Sequence, residues 1–117
     1  ISLADTVAVA RPEQIRRVFL RARAEQPRIK FSAHFHGRPE NWFECVTAAL
    51  DGGCRRFDAT SGGLGGCPFA QDTMVANIPS DQLTLRLENL GYRTGVDVEK
   101  LPACTELARE FQKKYGG

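Results

Sequence analysis

The chain has 117 residues, of which 42% are hydrophobic and 26% charged. A globular domain of this size buries about 65% of the surface that its extended chain would expose, so a single hydrophobic core is expected. No apolar run approaches the ~20 residues of a membrane span, and the composition excludes disordered, fibrous and transmembrane classes. The net charge of +2 is too small to indicate nucleic acid, so we expect neither nucleic acid nor membrane as a partner.

The four cysteines predict reduced thiols rather than a disulfide or zinc framework. Cys45, Cys54, Cys67 and Cys104 form no CxxC or CxH spacing, which argues against a zinc ribbon. Their number is too low for a secreted disulfide scaffold. The expected compartment is therefore a cytosol or an organelle matrix.

The first half of the chain alternates predicted strands and helices. Residues 1–4 indicate a strand that is already under way, and we therefore expect the chain to be a fragment of a longer protein. Pro12 then opens an amphipathic helix of about four turns, with apolar residues at helical spacing. Residues 31–36 alternate two sets of side chains and predict a second strand. A second helix is predicted from Glu40 and ends at Gly52 and Gly53.

The second half holds a third strand, a glycine-rich loop and two helices. Residues 55–59 predict the strand, and residues 61–79 predict the loop. Helices are predicted over residues 80–91, with Ser80 as N-cap, and over residues 97–115. Pro102 falls in the first turns of the last helix, where its missing N–H is best tolerated.

This order of elements predicts an α/β fold with parallel strands. Strand, helix, strand, helix and strand at a repeat of roughly thirty residues require right-handed crossover connections. Either an open doubly wound sheet or part of a (β/α)₈ barrel would produce the pattern. Three strands are few for the first fold, and the chain is well short of the ~250 residues typical of the second.

Polar residues at the predicted strand ends mark the candidate site, because parallel α/β folds place their active face there. Asp5, His34, His36 and Asp58 all lie at such ends. His34 and His36 are two residues apart on one strand, so both imidazoles project from the same face and could bind one divalent metal. The alternative is that one histidine is a core or loop residue bonded to a backbone carbonyl.

The glycine-rich loop matches neither of the common phosphate-binding patterns. It lacks the GK[ST] of a Walker loop and the GxGxxG of dinucleotide-binding folds. Glycines at this position let the backbone approach a ligand closely. Cys67 within the loop is the cysteine placed to exchange a proton with a ligand, and we expect Cys45, Cys54 and Cys104 to be packing residues.

Several stretches together resemble the C-terminal part of hydroxymethylglutaryl-CoA lyase, a member of a metal-dependent superfamily of TIM-barrel lyases and synthases. The sequence GGLGGCP, which contains the cysteine, is specific to the lyase branch, whereas HxH is shared widely. The resemblance implies that this chain is the C-terminal part of a (β/α)₈ barrel, with three parallel strands and flanking helices. The stretches that carry it are Ile1–Thr6, Ala33–His36, Gly62–Ala70, Asn77 and Gly91–Asp97.

The resemblance also implies roles for individual residues. His34, His36 and Asn77 match metal-binding positions, and the expected cofactor is Mg²⁺ or Mn²⁺. Cys67 matches a cysteine that transfers a proton, and Asp5 matches an active-site aspartate, so that Cys67, Asp5 and His34 form the expected catalytic set. The substrate loop is expected to contain Gly63, Gly65 and Gly66.

The family reaction is the metal-dependent retro-aldol cleavage of 3-hydroxy-3-methylglutaryl-CoA to acetoacetate and acetyl-CoA. Parallel strand edges without a neighbour favour self-association, so we expect a homo-oligomer. The resemblance implies an acyl-CoA substrate and a bacterial cytoplasmic or mitochondrial matrix location. It also implies a partner, the N-terminal part of the barrel, which supplies a further aspartate ligand and an arginine. Two alternatives remain: a non-catalytic barrel fragment or interaction module, and a Claisen-type acyl-CoA synthase of the same superfamily.

Overall fold

The computed structural model describes residues 1–66 and 74–116. The chain divides into two compact units, one of residues 1–58 and 66–76 and the other of residues 59–65 and 77–117. Within the described ranges, no helix is both long enough and apolar enough to cross a membrane.

The first unit is built around a parallel strand pair. Strands β1 (Ser2–Asp5) and β2 (Ser32–Gly37) run in register, with Leu3 opposite Ala33. On its other side Ala33 forms a single parallel bridge with Phe57. A short third strand, β3 (Ala76–Asn77), begins where Ala76 bridges Gly66 in the antiparallel sense. The strand pairings of this unit are therefore mixed.

Two helices cover one face of this strand pair. Helix α1 (Pro12–Glu25) begins at the predicted proline and runs for 14 residues, which confirms the predicted four turns. Helix α2 (Trp42–Asp51) ends at Gly52, as predicted. The rings of Phe19 on α1 and Phe35 on β2 meet edge to face, with centroids 6.4 Å apart. Among the described residues, the core of this unit consists of Ile15, Phe19, Ala33, Phe35, Trp42, Val46, Ala48, Ala49, Leu50, Cys54 and Val75.

The contact between Gly52 and α1 leaves no room for a side chain. A Cβ atom at Gly52 would lie 2.6 Å from the Cβ of Phe19 and 2.9 Å from the carbonyl oxygen of Arg16. We expect Gly52→Ala to lower the free energy of unfolding by about 1–3 kcal/mol, because the two helices must move apart. Urea denaturation measures this change, with the exposed Asp51→Ala as control. Equal stability of the two variants would contradict the packing described here.

The second unit contains a 3₁₀ turn at Ser61–Gly63 and two helices, α3 (Ser80–Asn89) and α4 (Leu101–Tyr115). Its buried residues include Ile78, Leu83 and Ala108. Helix α3 ends as the sequence predicted, because Gly91 adopts a positive φ of 89°. The N–H of Tyr92 then donates to the carbonyl of Leu87, which closes the last turn.

Four predictions about the elements need correction. Helix α2 begins at Trp42, two residues after the predicted Glu40. Ser80 is the first residue of α3, whose N-cap is Pro79, so the predicted capping role of Ser80 is wrong.

The other two corrections concern the predicted third strand and the start of α4. Residues 55–59 do not form a regular strand, since the pairing in this stretch is the one bridge at Phe57. The predicted set of three parallel strands is therefore only partly present. Helix α4 begins at Leu101 rather than residue 97, because Pro102 has no N–H to extend the helix backwards. Asp97 instead forms a turn, in which its carboxylate accepts the N–H of Glu99.

Candidate functional site

His34 and His36 lie on the same face of β2, as the alternation along the strand predicted. Their ring centroids are 5.5 Å apart and the rings are tilted by 49°. His36 is buried and His34 is partly exposed. The intervening Phe35, on the opposite face, is 4% exposed and packs in the core. The strand therefore separates a structural face from a face that carries two imidazoles at its carboxyl end.

Asp58 lies beside His34 because of the single bridge next to β2. The N–H of Ala33 donates to the carbonyl of Arg56, and the N–H of Asp58 donates to the carbonyl of Ala33, each at 2.9 Å. This pairing puts residue 58 next to residue 34. The Oδ2 atom of Asp58 lies 3.2 Å from Nδ1 of His34. The hydroxyl of Ser2 donates to the same oxygen at 3.5 Å.

The sequence identified Asp58 as a polar strand-end residue but gave it no role. A role for Asp58 follows from the register between β2 and the following extended segment, which the sequence alone does not give. In a parallel pair, residues in register present their side chains on the same face. The register Ala33 to Phe57 therefore places Asp58 on the face that carries His34.

Asp5 holds the loop that follows β1. Its Oδ1 accepts the N–H groups of Val7 and Val9, and its Oδ2 accepts the N–H of Ala10 at 2.7 Å. The loop includes Ala8, which has a positive φ of 55°. Asp5 thus sits at the carboxyl end of its strand and fixes the backbone between β1 and α1. Its predicted catalytic role stays a prediction.

The histidine pair fits part of a metal-binding site. Two neutral imidazoles from one strand supply two nitrogen ligands of the kind that Mn²⁺ accepts together with oxygen ligands. Within residues 1–66 and 74–116, no three His, Cys, Asp or Glu side chains are grouped so that they could hold a metal ion. The pair is therefore not accompanied by a third ligand of these types among the described residues, and its metal binding stays a prediction.

Asn77, the third predicted ligand, lies in the second unit, where it binds the glycine-rich loop. Its Nδ2 donates to the carbonyl of Leu64 at 2.9 Å and to that of Gly65 at 3.3 Å. This leaves Oδ1 as the atom of the amide that is chemically able to bind a metal. The role of Asn77 as a ligand stays a prediction.

The loop glycines are required by the loop's own geometry. Gly63 and Gly65 have φ values of 71° and 87°, in a region that side-chain-bearing residues rarely adopt. A Cβ at Gly65 would lie 2.9 Å from Nδ2 of Asn77. A Cβ at Gly66 would lie 3.3 Å from the carbonyl oxygen of Val75. Their predicted contact with substrate stays a prediction.

Cys67 lies outside the described residues, but the other three cysteines are described. Burial is the main cause that raises the pKa of the Cys45 thiol, and the nearby charges of Asp5 and Glu44 add to it. Burial likewise raises the pKa of Cys54 above its ordinary value. Cys104 is exposed. At neutral pH the first two thiols therefore form little of the reactive thiolate.

We expect alkylation of the native protein to label Cys67 first. Cys45 and Cys54 should react slowly because their raised pKa values keep them protonated, and Cys104 is the exposed internal reference. Peptide mapping after brief treatment with iodoacetamide measures the order of labelling. Faster labelling at Cys104 than at Cys67 would count against a reactive thiol in the loop.

Comparison with known proteins identifies acyl-CoA lyases as relatives. No family model matches the chain. It is 37% identical over 99 residues to a hydroxymethylglutaryl-CoA lyase of Pseudomonas mevalonii, covering 85% of this chain and 33% of that protein. It is 36% identical over 106 residues to the (R)-citramalyl-CoA lyase of Chloroflexus aurantiacus, covering 91% of this chain and 33% of the relative.

A solved structure is similar as well. It is an HMG-CoA lyase from Acinetobacter baumannii in complex with coenzyme A and 3-methylmalate. The TM-score is 0.79 at 37% identity, over 90% of this chain and 34% of the other. This chain thus spans about a third of the length of the proteins it matches. The resemblance to a C-terminal part of hydroxymethylglutaryl-CoA lyase is confirmed.

Proposed function

We propose that this chain is the C-terminal part of a (β/α)₈-barrel lyase that cleaves 3-hydroxy-3-methylglutaryl-CoA to acetoacetate and acetyl-CoA. The observation that carries the proposal is the pair of imidazoles on one face at the carboxyl end of β2. In parallel α/β folds this end of the strands is the catalytic one. The similarity to HMG-CoA lyases supports the same assignment.

The packing of the first unit supports a place in a barrel wall. Its helices cover the face of β2 that carries Ala33 and Phe35, which are 1% and 4% exposed. The opposite face carries His34 and His36 and would line the barrel interior. Strands of a closed barrel alternate in this way between inward and outward side chains.

His34 and His36 would hold the divalent cation, and the role of Asn77 as an amide ligand stays a prediction. When bound, such a cation supplies positive charge to the carboxylate and hydroxyl oxygens of the substrate. The imidazoles can bind the cation in their neutral form, in which one ring nitrogen carries a lone pair. The proposed cofactor is Mg²⁺ or Mn²⁺, and the remaining ligands are oxygens.

Cys67 is the proposed proton donor. Cleavage of the carbon–carbon bond leaves its electron pair on the acetyl-CoA carbon as an enolate, which must take up a proton. The hydroxyl proton of the substrate goes to a base, for which Asp5 is the candidate in this chain, because the lone pair of His34 is assigned to the cation. A thiol on the glycine-rich loop can deliver the other proton if that loop contacts the bound substrate.

The N-terminal part of the barrel is the proposed partner. Among the described residues, the regular strand that pairs with β1 is β2, so β1 forms an edge. Beside this edge lies a groove of about 150 Å³, whose apolar walls include Leu3, Ile15, Val18 and Phe19. Val18 is 52% exposed there. A preceding strand and helix would cover this apolar surface.

A lyase for (R)-citramalyl-CoA is the second candidate. The observation that favours it is the 36% identity to the Chloroflexus aurantiacus enzyme, nearly the same as that to the Pseudomonas mevalonii enzyme. Both substrates carry a hydroxyl on the carbon that separates from acetyl-CoA, so both bonds break by the same chemistry. The two functions differ in the acid that is released.

A fusion protein tests the proposal. The part of the Pseudomonas mevalonii lyase that precedes the matched region is joined to this chain, and release of acetyl-CoA is measured with each substrate. We expect turnover of 3-hydroxy-3-methylglutaryl-CoA by the fusion and none by the chain alone, because the chain lacks the upstream aspartate ligand. A soluble, folded fusion that cleaves neither substrate would contradict the proposal.

A further inference from the structure

The contact between Asp58 and His34 bears on which ring nitrogen of His34 carries the proton. Its Oδ2 lies 3.2 Å from Nδ1 of His34, within hydrogen-bonding range. An ionised carboxylate can only accept a hydrogen bond. Nδ1 must therefore carry the proton, and in the neutral imidazole Nε2 is then left with the lone pair.

The backbone holds this contact in place. Both backbone hydrogen bonds of Ala33 on that side go to residues that flank Phe57, each at 2.9 Å. Asp58 and His34 are consequently neighbours across a parallel pair, and the backbone pairing keeps their side chains close together. The side chains are 52% and 36% exposed, so the contact is open to solvent and its contribution to folding stability is small.

We propose that Asp58 is a positioning residue for His34: its carboxylate binds the Nδ1 proton, fixes the tautomer and directs Nε2 toward the face shared with His36. This inference rests on the proposed metal-binding function of the pair. Carboxylates that bind the far nitrogen of a ligating histidine orient the ring and raise its basicity, and their loss typically lowers metal affinity ~10- to 100-fold.

Ser2 completes the arrangement. Its hydroxyl donates to the same Oδ2 atom at 3.5 Å, from the neighbouring strand β1. With Ser2 on one side and His34 on the other, the carboxylate is held by donors from two strands. Because the carboxylate already orients the ring of His34, the ring loses less conformational freedom when a cation binds.

The test measures the His34 tautomer in the whole chain and Mn²⁺ binding in the fusion protein. Long-range ¹H–¹⁵N spectra, recorded without metal at a pH where histidines are neutral, report which ring nitrogen carries the proton. We expect protonated Nδ1 in the wild type and loss of this preference in Asp58→Ala. Asp58→Glu restores a carboxylate and should restore the tautomer, and Asp51→Ala is the control for removal of an exposed carboxylate.

Mn²⁺ titration, followed by broadening of the His34 and His36 signals, gives the second readout. Asp58→Ala should weaken binding ~10- to 100-fold, with Asp51→Ala unchanged. An unchanged tautomer in Asp58→Ala overturns the inference, even if the wild type binds Mn²⁺. A fusion protein that binds no Mn²⁺, together with an Asp58-dependent tautomer in the chain, contradicts the metal function and leaves the positioning role standing.

Discussion

Replacing His34 or His36 by alanine is expected to lower the Mn²⁺ affinity of the fusion protein by ~10-fold or more. Each change removes one of two nitrogen ligands that β2 presents on one face, 5.5 Å apart between ring centroids. Loss of a group that only orients a ligand typically lowers metal affinity by ~10- to 100-fold. Loss of the ligand itself should lower the affinity at least as much. Isothermal titration with Mn²⁺ measures the affinities.

Ser32→Ala is the matched control for these variants. Ser32 lies on the same strand and the same face, two residues before His34. Its variant should bind Mn²⁺ as the unmodified fusion does and should release acetyl-CoA at the same rate. If both histidine variants bound Mn²⁺ as tightly as the unmodified fusion does, the pair would not be the site of the cation.

Replacing Cys67 by alanine should lower the lyase turnover of the fusion by ~10²- to 10⁴-fold, the range that a positioned proton donor contributes. The Mn²⁺ affinity should remain unchanged, because the thiol is proposed to protonate the enolate and not to bind the cation. The rate of acetyl-CoA release at saturating substrate measures the effect.

Cys104→Ala provides the comparison, since Cys104 is an exposed residue on α4. Its loss should leave turnover unchanged. If Cys67→Ala kept full turnover, another group would have to supply the proton. A loss of Mn²⁺ affinity in Cys67→Ala would instead assign the thiol to the metal site.

The helices were well predicted because their signals are local. Pro12 fixes the start of α1, and Gly91 ends α3 by adopting a conformation that other residues avoid. The alternation on β2 was also readable, because its two faces have different environments. Core packing buries Phe35, whereas polar side chains occupy the face of His34.

The single bridge that residues 55–59 form, in place of the predicted strand, could not be predicted from their own sequence. The pairing depends on which backbone N–H and carbonyl groups of β2 are available on that side. There, Ala33 forms hydrogen bonds with the carbonyl of Arg56 and the N–H of Asp58. Strand β3 has two residues, too few for any alternation. The contact between Asp58 and His34 arises from the same register, and so it also could not be seen in the sequence alone.

The nitrogen ligands of Mn²⁺ bound to the fusion protein can be observed directly by pulsed electron paramagnetic resonance. The claim that His34 and His36 bind one cation together predicts couplings from two imidazole nitrogens. Each single alanine variant should keep only one coupling, measured at a Mn²⁺ concentration that saturates the site. Bound Mn²⁺ without histidine nitrogen couplings, or with couplings unchanged in both variants, would contradict the claim.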